Sequence, residues 1–180
     1  MIIKKRYIFL IFICVAIVAR IIYVNVSYDS PPTIYNELGE SFMLTDQFEI
    51  KVISMDAYSK GEWKEKLKRE NLEIGDVCDD YVTIVVEYQI TNTLDTEGTF
   101  YGGCIYAQIG TARNGRNIMA SEILSGGREI LASSYRAGES RIIKQVYTLD
   151  QKTIKDSSIL SEKMEVAACN YSGIHIIKEK

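Results

Sequence analysis

The stretch that decides the fold class is YVTIVVEYQITNT, residues 81–93. Its apolar residues recur at every second position, which is the period of a β-strand with one buried face: Val82, Ile84, Val86, Tyr88 and Ile90. Val85 is apolar on the opposite face. We therefore expect a central strand with one wholly buried face and partial cover on the other.

Similar short runs extend in both directions from this strand, with turn residues between them. They cover residues 48–52, 99–109, 117–123, 129–133, 140–149 and 164–177, the last broken near Ser172-Gly173. Asn114-Gly115 is typical of a tight hairpin. About seven strands with no alternating helices predict an all-β fold, an antiparallel immunoglobulin-like β-sandwich.

One segment breaks the β pattern. Residues 61–71 are rich in helix formers, and Trp63 and Leu67 are four positions apart on one helical face. So short a helix is not stable alone in water. We expect it to be an insertion that docks on the sandwich, although Trp63 could instead contact a partner.

The N-terminus carries the longest apolar segment. Residues 7–26 contain one charge, Arg20, and a helix of this length spans a bilayer core of roughly 30 Å. The basic stub, residues 1–6, predicts a cytoplasmic N-terminus and an exported remainder. The alternative is a cleaved signal peptide, which would release a secreted protein. Residues 27–46, with two prolines, are predicted to be an extended tether, and residues 47–180 the sandwich domain.

Charge and cysteines narrow the function classes. Beyond residue 26 there are 17 Lys and Arg against 24 Asp and Glu, a formal charge of −7. That balance argues against nucleic-acid binding. Three cysteines follow the apolar segment, so one disulfide is expected among Cys78, Cys104 and Cys169, with the pairing open.

Candidate chemistry is sparse. Carboxylates cluster before the central strand and could be drawn as a metal site, although their spacing matches no calcium loop: Asp76, Asp79 and Asp80. Cys78 with His175, the single histidine, could be drawn as a nucleophile and its base. His175 lies between two isoleucines, which favours an outward position on a strand. We expect no metal, no cofactor and no catalytic residue.

A partner surface is expected at an aromatic residue beside two glycines. Tyr101-Gly102-Gly103 exposes backbone in a loop, and tyrosine is enriched where proteins bind one another. Trp63 is the second candidate for such a surface.

Two strand motifs carry a resemblance to a known group. YVTIVVEYQITNT at residues 81–93 and YRAGESRIIKQVYTL at residues 135–149 are similar to strands of exported immunoglobulin-like domains on Gram-positive bacterial surfaces, related to the secreted immunoprotective-antigen sandwich. The resemblance covers about residues 45–178 and implies a fold and a location. It implies no catalytic residues.

These observations together predict a single-pass protein of the bacterial cell membrane with its domain outside. We expect a binding or structural module that contacts another surface protein or a cell-wall component, and not an enzyme. The alternative function is an exported metal- or thiol-dependent hydrolase that uses the Asp76, Asp79 and Asp80 cluster, or Cys78 with His175.

Overall fold

The computed structural model describes residues 2–27, 31–73, 81–110, 112–126, 132–150, 164–169 and 173–178. The chain divides into two units, Met1–Pro32 and Thr33–Lys180. The predicted Asp76, Cys78, Asp79 and Asp80 lie outside the described residues, so the metal and thiol hypotheses built on them stay predictions.

The first unit contains one helix, α1 (Ile2–Ser27). Its described apolar side chains are exposed; Tyr7 is 64%, Phe12 71% and Val26 74% accessible. No helix among the described residues combines the length and the hydropathy that a membrane crossing requires.

The second unit is a β-sandwich, which confirms the predicted layer architecture. Sheet I has the strand order β1-β12-β11-β6-β7, and sheet II has the order β2-β3-β4-β10-β8. A third, two-stranded sheet pairs β5 with β9. The strands are β1 (Thr33–Glu37), β2 (Ser41–Met43), β3 (Phe48–Tyr58), β4 (Tyr81–Asn92), β5 (Gly98–Tyr101), β6 (Ile105–Ile109), β7 (Ala112–Asn114), β8 (Arg116–Asn117), β9 (Ala132–Tyr135), β10 (Ser140–Asp150), β11 (Met164–Cys169) and β12 (Ile174–Lys178).

The central strand forms as its alternation predicts. β4 pairs with β3 on one side and β10 on the other. Val82, Ile84 and Val86 contribute to the main core between the sheets. Val85 instead joins a smaller cluster on the outer face.

Helices α2 (Lys60–Arg69) and α3 (Ile118–Leu124) contribute to that smaller cluster. Trp63 and Leu67 of α2 are buried there with Ala120 of α3 and Val146 of β10. The predicted insertion at residues 61–71 is therefore a docked helix. Because Trp63 is only 1% exposed, the prediction that it forms a partner surface is wrong.

A second short helix replaces the strand predicted over residues 117–123. The Asn117 side chain accepts a hydrogen bond from the N–H of Ala120 at 3.1 Å and caps the first turn. Ser121 Oγ accepts the N–H of Val146 at 2.8 Å and so serves a backbone donor of β10. This cap and this contact favour a helix over a continued strand.

The domain begins earlier than residue 47. Part of the predicted tether forms β1 and β2, and β1 pairs in parallel with β12, from Thr33 with Ile174 to Glu37 with Lys178. Such pairing joins distant parts of the chain and leaves no local signal. With it the described residues contain twelve strands, more than the seven predicted.

Asn114-Gly115 does not form a hairpin. β7 pairs with β6 in sheet I, whereas β8 pairs with β10 in sheet II, so the two residues carry the chain between the sheets. The tight turn lies instead at Gly110, whose φ of 57° follows β6.

Candidate functional site

Among the described residues of the sandwich domain, the most exposed tyrosine lies in the turn between β5 and β6. Tyr101 ends β5, a 3-10 turn spans Gly102–Cys104, and β6 starts at Ile105. Tyr101 is 68% exposed, whereas Gly102 is buried. We call residues 101–104 the Tyr101 turn.

Close packing explains the glycine at position 102. A Cβ there would lie 2.7 Å from Arg116 Nη1 and 3.2 Å from Phe100 Cε1, so a larger residue would displace the guanidinium. At Gly103 a Cβ would meet nothing within 4 Å. Gly102 therefore fixes the turn to the domain, while Gly103 faces open space.

A buried polar chain lies beneath the turn. Tyr147 Oη donates to Gln145 Oε1 at 2.6 Å and is 2.8 Å from Tyr88 Oη, so Tyr88 is the donor in the second bond. Gln145 Nε2 has no hydrogen-bond partner among the described residues, and it lies 3.3 Å from the place a Cβ of residue 102 would take. Burial is the main cause that raises the pKa of the Tyr88 hydroxyl and of the Tyr147 hydroxyl. Both hydroxyls therefore stay protonated at neutral pH and are not bases.

Two thiols lie beside the turn. Cys104 and Cys169 are free and half-buried. Burial raises the pKa of Cys104 above its ordinary value, which lowers the fraction of reactive thiolate at neutral pH. Tyr106 Oη is 3.4 Å from Cys169 Sγ, and the Arg113 guanidinium lies 4.2 Å over the Tyr106 ring.

His175 is not the outward residue that its neighbours suggested. It is 6% exposed, its Nδ1 is 2.8 Å from Asn36 Oδ1, and its ring stacks on Phe42 at 4.2 Å. Burial lowers the pKa of this imidazole. Since Asn36 and Phe42 come from β1 and β2, the environment of His175 depends on strands that the sequence did not reveal.

Of the predicted partner surface, the structure leaves Tyr101 and Gly103 accessible and buries Gly102 and Trp63. In the described part of the chain, no three His, Cys, Asp or Glu side chains are grouped so as to hold a metal ion. The sequence reasoning missed Gln145. Its signal was present, because residue 145 occupies the same alternating positions of β10 as Ile143, Tyr147 and Leu149 of the main core.

Comparisons with known proteins inform the fold. No family model matches the chain, and no curated protein matches it. The crystal structure of a conserved hypothetical protein from Bacillus anthracis is similar, with a TM-score of 0.50 and 15% identity over 79% of this chain and 94% of that one.

Two further crystal structures are similar. An uncharacterized beta-sandwich protein from Clostridium difficile 630 gives a TM-score of 0.49 and 14% identity over 85% of this chain and 98% of that one. The yjhA protein from Bacillus subtilis gives a TM-score of 0.49 and 13% identity over 81% of this chain and 99% of that one. Identities this low carry no function. The Bacillus anthracis structure, with its TM-score of 0.50, supports the fold of the chain alone.

Proposed function

We propose that this protein is an immunoglobulin-like binding module, held at the outer face of a bacterial cell membrane by its N-terminal helix. The Tyr101 turn would contact another surface protein or a cell-wall component. The observation that carries the binding role is the 68% exposure of Tyr101 directly beside a glycine packed into the domain. The absence of enzyme activity stays a prediction.

The membrane location is supported by the apolar side chains of α1. Leu10, Ile11 and Phe12 are each more than half exposed although they are consecutive, so the apolar surface surrounds the helix. A helix that is apolar all round is stable only when lipid or protein covers it. The basic Lys4, Lys5 and Arg6 before it favour a cytoplasmic N-terminus.

Binding at the Tyr101 turn is supported by its rigidity as well as its exposure. The backbone at Gly102 packs within contact distance of Arg116 and Phe100, and Phe100 is itself buried in the main core. A tyrosine held on such a support loses little conformational entropy when a partner covers it.

The location is tested on intact cells of a Gram-positive host that express the full chain. We expect the chain to resist extraction by alkaline carbonate, to retain its N-terminal segment by mass, and to lose the sandwich domain to external protease. The double variant I13D/I17D, altered at two exposed positions of α1, is expected to leave the membrane fraction. A wild-type chain in the soluble cytoplasmic fraction would refute the location.

Binding is tested with p-benzoylphenylalanine in place of Tyr101 and, as the matched control, in place of Tyr35. The two tyrosines are 68% and 64% exposed and lie on β5 and β1. We expect a discrete adduct in intact cells only with the probe at 101. Added wild-type chain should compete for that adduct and the Y101A variant should not. Equal labelling at both positions, or no adduct at 101, would contradict the proposed surface.

A further inference from the structure

We propose that Cys104 and Cys169 are a paired redox site that closes to a disulfide in an oxidising environment. The sequence left three pairings open among Cys78, Cys104 and Cys169. The proposal does not rest on the binding role of the Tyr101 turn.

The strand register carries the proposal. β11 pairs antiparallel with β6, and the last partners at this end are Ala168 and Ile105. One further step in the same register would bring Cys169 opposite Cys104, the last residue of the 3-10 turn before β6. Residues directly opposite in an antiparallel pair have Cα atoms roughly 4.5–5.5 Å apart, and a disulfide requires about 4.4–6.8 Å.

Contacts around the thiols agree with that register. Cys169 acts electrostatically on the pKa of the Cys104 thiol, which also packs against the main core. Tyr106, one strand step away from Ile105, reaches Cys169 Sγ at 3.4 Å. Both cysteines are only half-buried, so a small oxidant can reach each of them.

The reaction is thiol–disulfide exchange with a small disulfide as the oxidant. One cysteine thiolate attacks a sulfur of the oxidant, forms a mixed disulfide and releases one thiolate. The second cysteine then attacks the mixed disulfide, forms the Cys104–Cys169 bond and releases the second thiolate. The two cysteines lose two electrons and two protons, and the small disulfide becomes two thiols.

The bond would link the ends of a long loop. Residues 105–168, which include β6 to β10 and most of β11, lie between the two cysteines. Closing a loop of this length restricts the unfolded chain strongly, and we expect the melting temperature to rise by roughly 10 °C.

The test uses the full chain in detergent with the C14S substitution, which prevents bridges through the exposed Cys14. The protein is incubated with oxidised glutathione, alkylated and digested with trypsin and Glu-C together. Trypsin alone leaves Cys78 and Cys104 on one peptide, whereas cleavage after Glu87 and Glu97 separates them. The expected product links residues 98–113 to residues 166–178.

We expect this linkage, and a higher melting temperature that dithiothreitol reverses, in the C14S protein and in the same protein with C78S added. C104S and C169S should lack both. Cys78 linked to either of the other two cysteines, or alkylation of both Cys104 and Cys169 after oxidation, would overturn the proposal. The peptide map of the C14S protein decides the question even if a variant with a further serine does not fold.

Discussion

Two buried side-chain amides on neighbouring strands differ in how completely they are hydrogen-bonded. Asn92, at the end of β4, donates through Nδ2 to the carbonyls of Thr96 at 2.7 Å and Arg136 at 3.0 Å, and its Oδ1 accepts the N–H of Leu94. Gln145, on β10, accepts one bond from Tyr147, and within the described part of the chain its Nε2 has no partner. Neither side chain is exposed to solvent.

The difference separates a structural region from a functional candidate. The backbone N–H of Asn92 also binds the carbonyl of Glu139 at 2.9 Å, so Asn92 joins the Thr-Asn-Thr end of β4 to the Gly138-Glu139 turn before β10. These are the two motifs on which the family resemblance rests. Gln145 lies under the Tyr101 turn, where an unsatisfied buried donor lowers stability and calls for an explanation other than folding.

The largest effect is expected from Asn92→Leu, which keeps the branched shape of the side chain and removes the amide. Three backbone carbonyls, of Thr96, Tyr135 and Arg136, and one N–H would lose their side-chain partner. The free energy of unfolding should fall by about 3 kcal/mol. Urea unfolding of the full chain measures the loss.

Thr93→Ala is the matched control for Asn92→Leu. Thr93 Oγ1 donates to the Gln47 carbonyl at 3.0 Å, but this bond is exposed to solvent. We expect a change of roughly 0.5 kcal/mol or less. Equal losses for the two variants would mean that the Asn92 contacts are not what holds the two motifs together.

The next effect is expected at the turn that Asn92 contacts. Gly138 has a φ of 66°, which an L-residue adopts at a cost, so Gly138→Ala should lower the free energy of unfolding by about 1 kcal/mol. Gly103→Ala in the Tyr101 turn meets open space without a positive φ, and it should leave stability unchanged or raise it slightly. A larger loss at 103 than at 138 would reverse the comparison.

His175 adds a buried polar group whose charge depends on pH. Burial lowers its folded-state pKa below the ordinary 6.5, so the unfolded chain takes up the proton first as pH falls. The contribution of the neutral His175 to the free energy of unfolding is therefore intact above about pH 6.5 and is lost progressively as the pH falls below it. The hydrogen bond from Arg141 lowers the pKa of Glu139 to about 2. Protonation of Glu139 therefore reduces stability only in more acidic solution than protonation of His175 does.

Urea unfolding at pH 7.5 and 5.5 tests this assignment. The wild-type protein should lose stability at the lower pH, and H175Q should lose less. The same pH dependence in both proteins would place the titrating group elsewhere.

The sequence predicted what local periodicity encodes and missed what distant strands supply. The alternation of residues 82–90 predicted a strand with one buried face and partial cover on the other, and the spacing of Trp63 and Leu67 predicted a docked helix. Both are found. The contact between Asn36 and His175 could not be predicted, because β1 and β12 are separated by most of the sequence of the domain. Helix α3 was missed because Ile118, Met119 and Ile123 suit a strand as well as a helix, and only the Asn117 cap distinguishes the two.

The same limit applies to the candidate site. Tyr101 and its glycines could be selected from the sequence because an aromatic beside glycines is a local pattern. The polar chain below it could not, since Tyr88, Gln145 and Tyr147 belong to separate strands that only the β4–β10 register brings together. The proximity of Cys104 to Cys169 depends in the same way on the β6–β11 register.

Apart from the control variants, the smallest effect is expected from Gln145→Met, which removes the second amide at nearly constant volume. The variant loses the bond from Tyr147, but it also removes the unpartnered Nε2, and Tyr147 keeps its contact with Tyr88. The two changes oppose each other, so the free energy of unfolding should change by less than about 1 kcal/mol. A loss as large as that of Asn92→Leu, measured in the same urea titration, would show that the Gln145 amide is bonded in solution. The polar chain beneath Tyr101 would then be part of the scaffold. A neutral result, combined with weaker cross-linking at position 101, would instead connect this amide to the surface that it underlies.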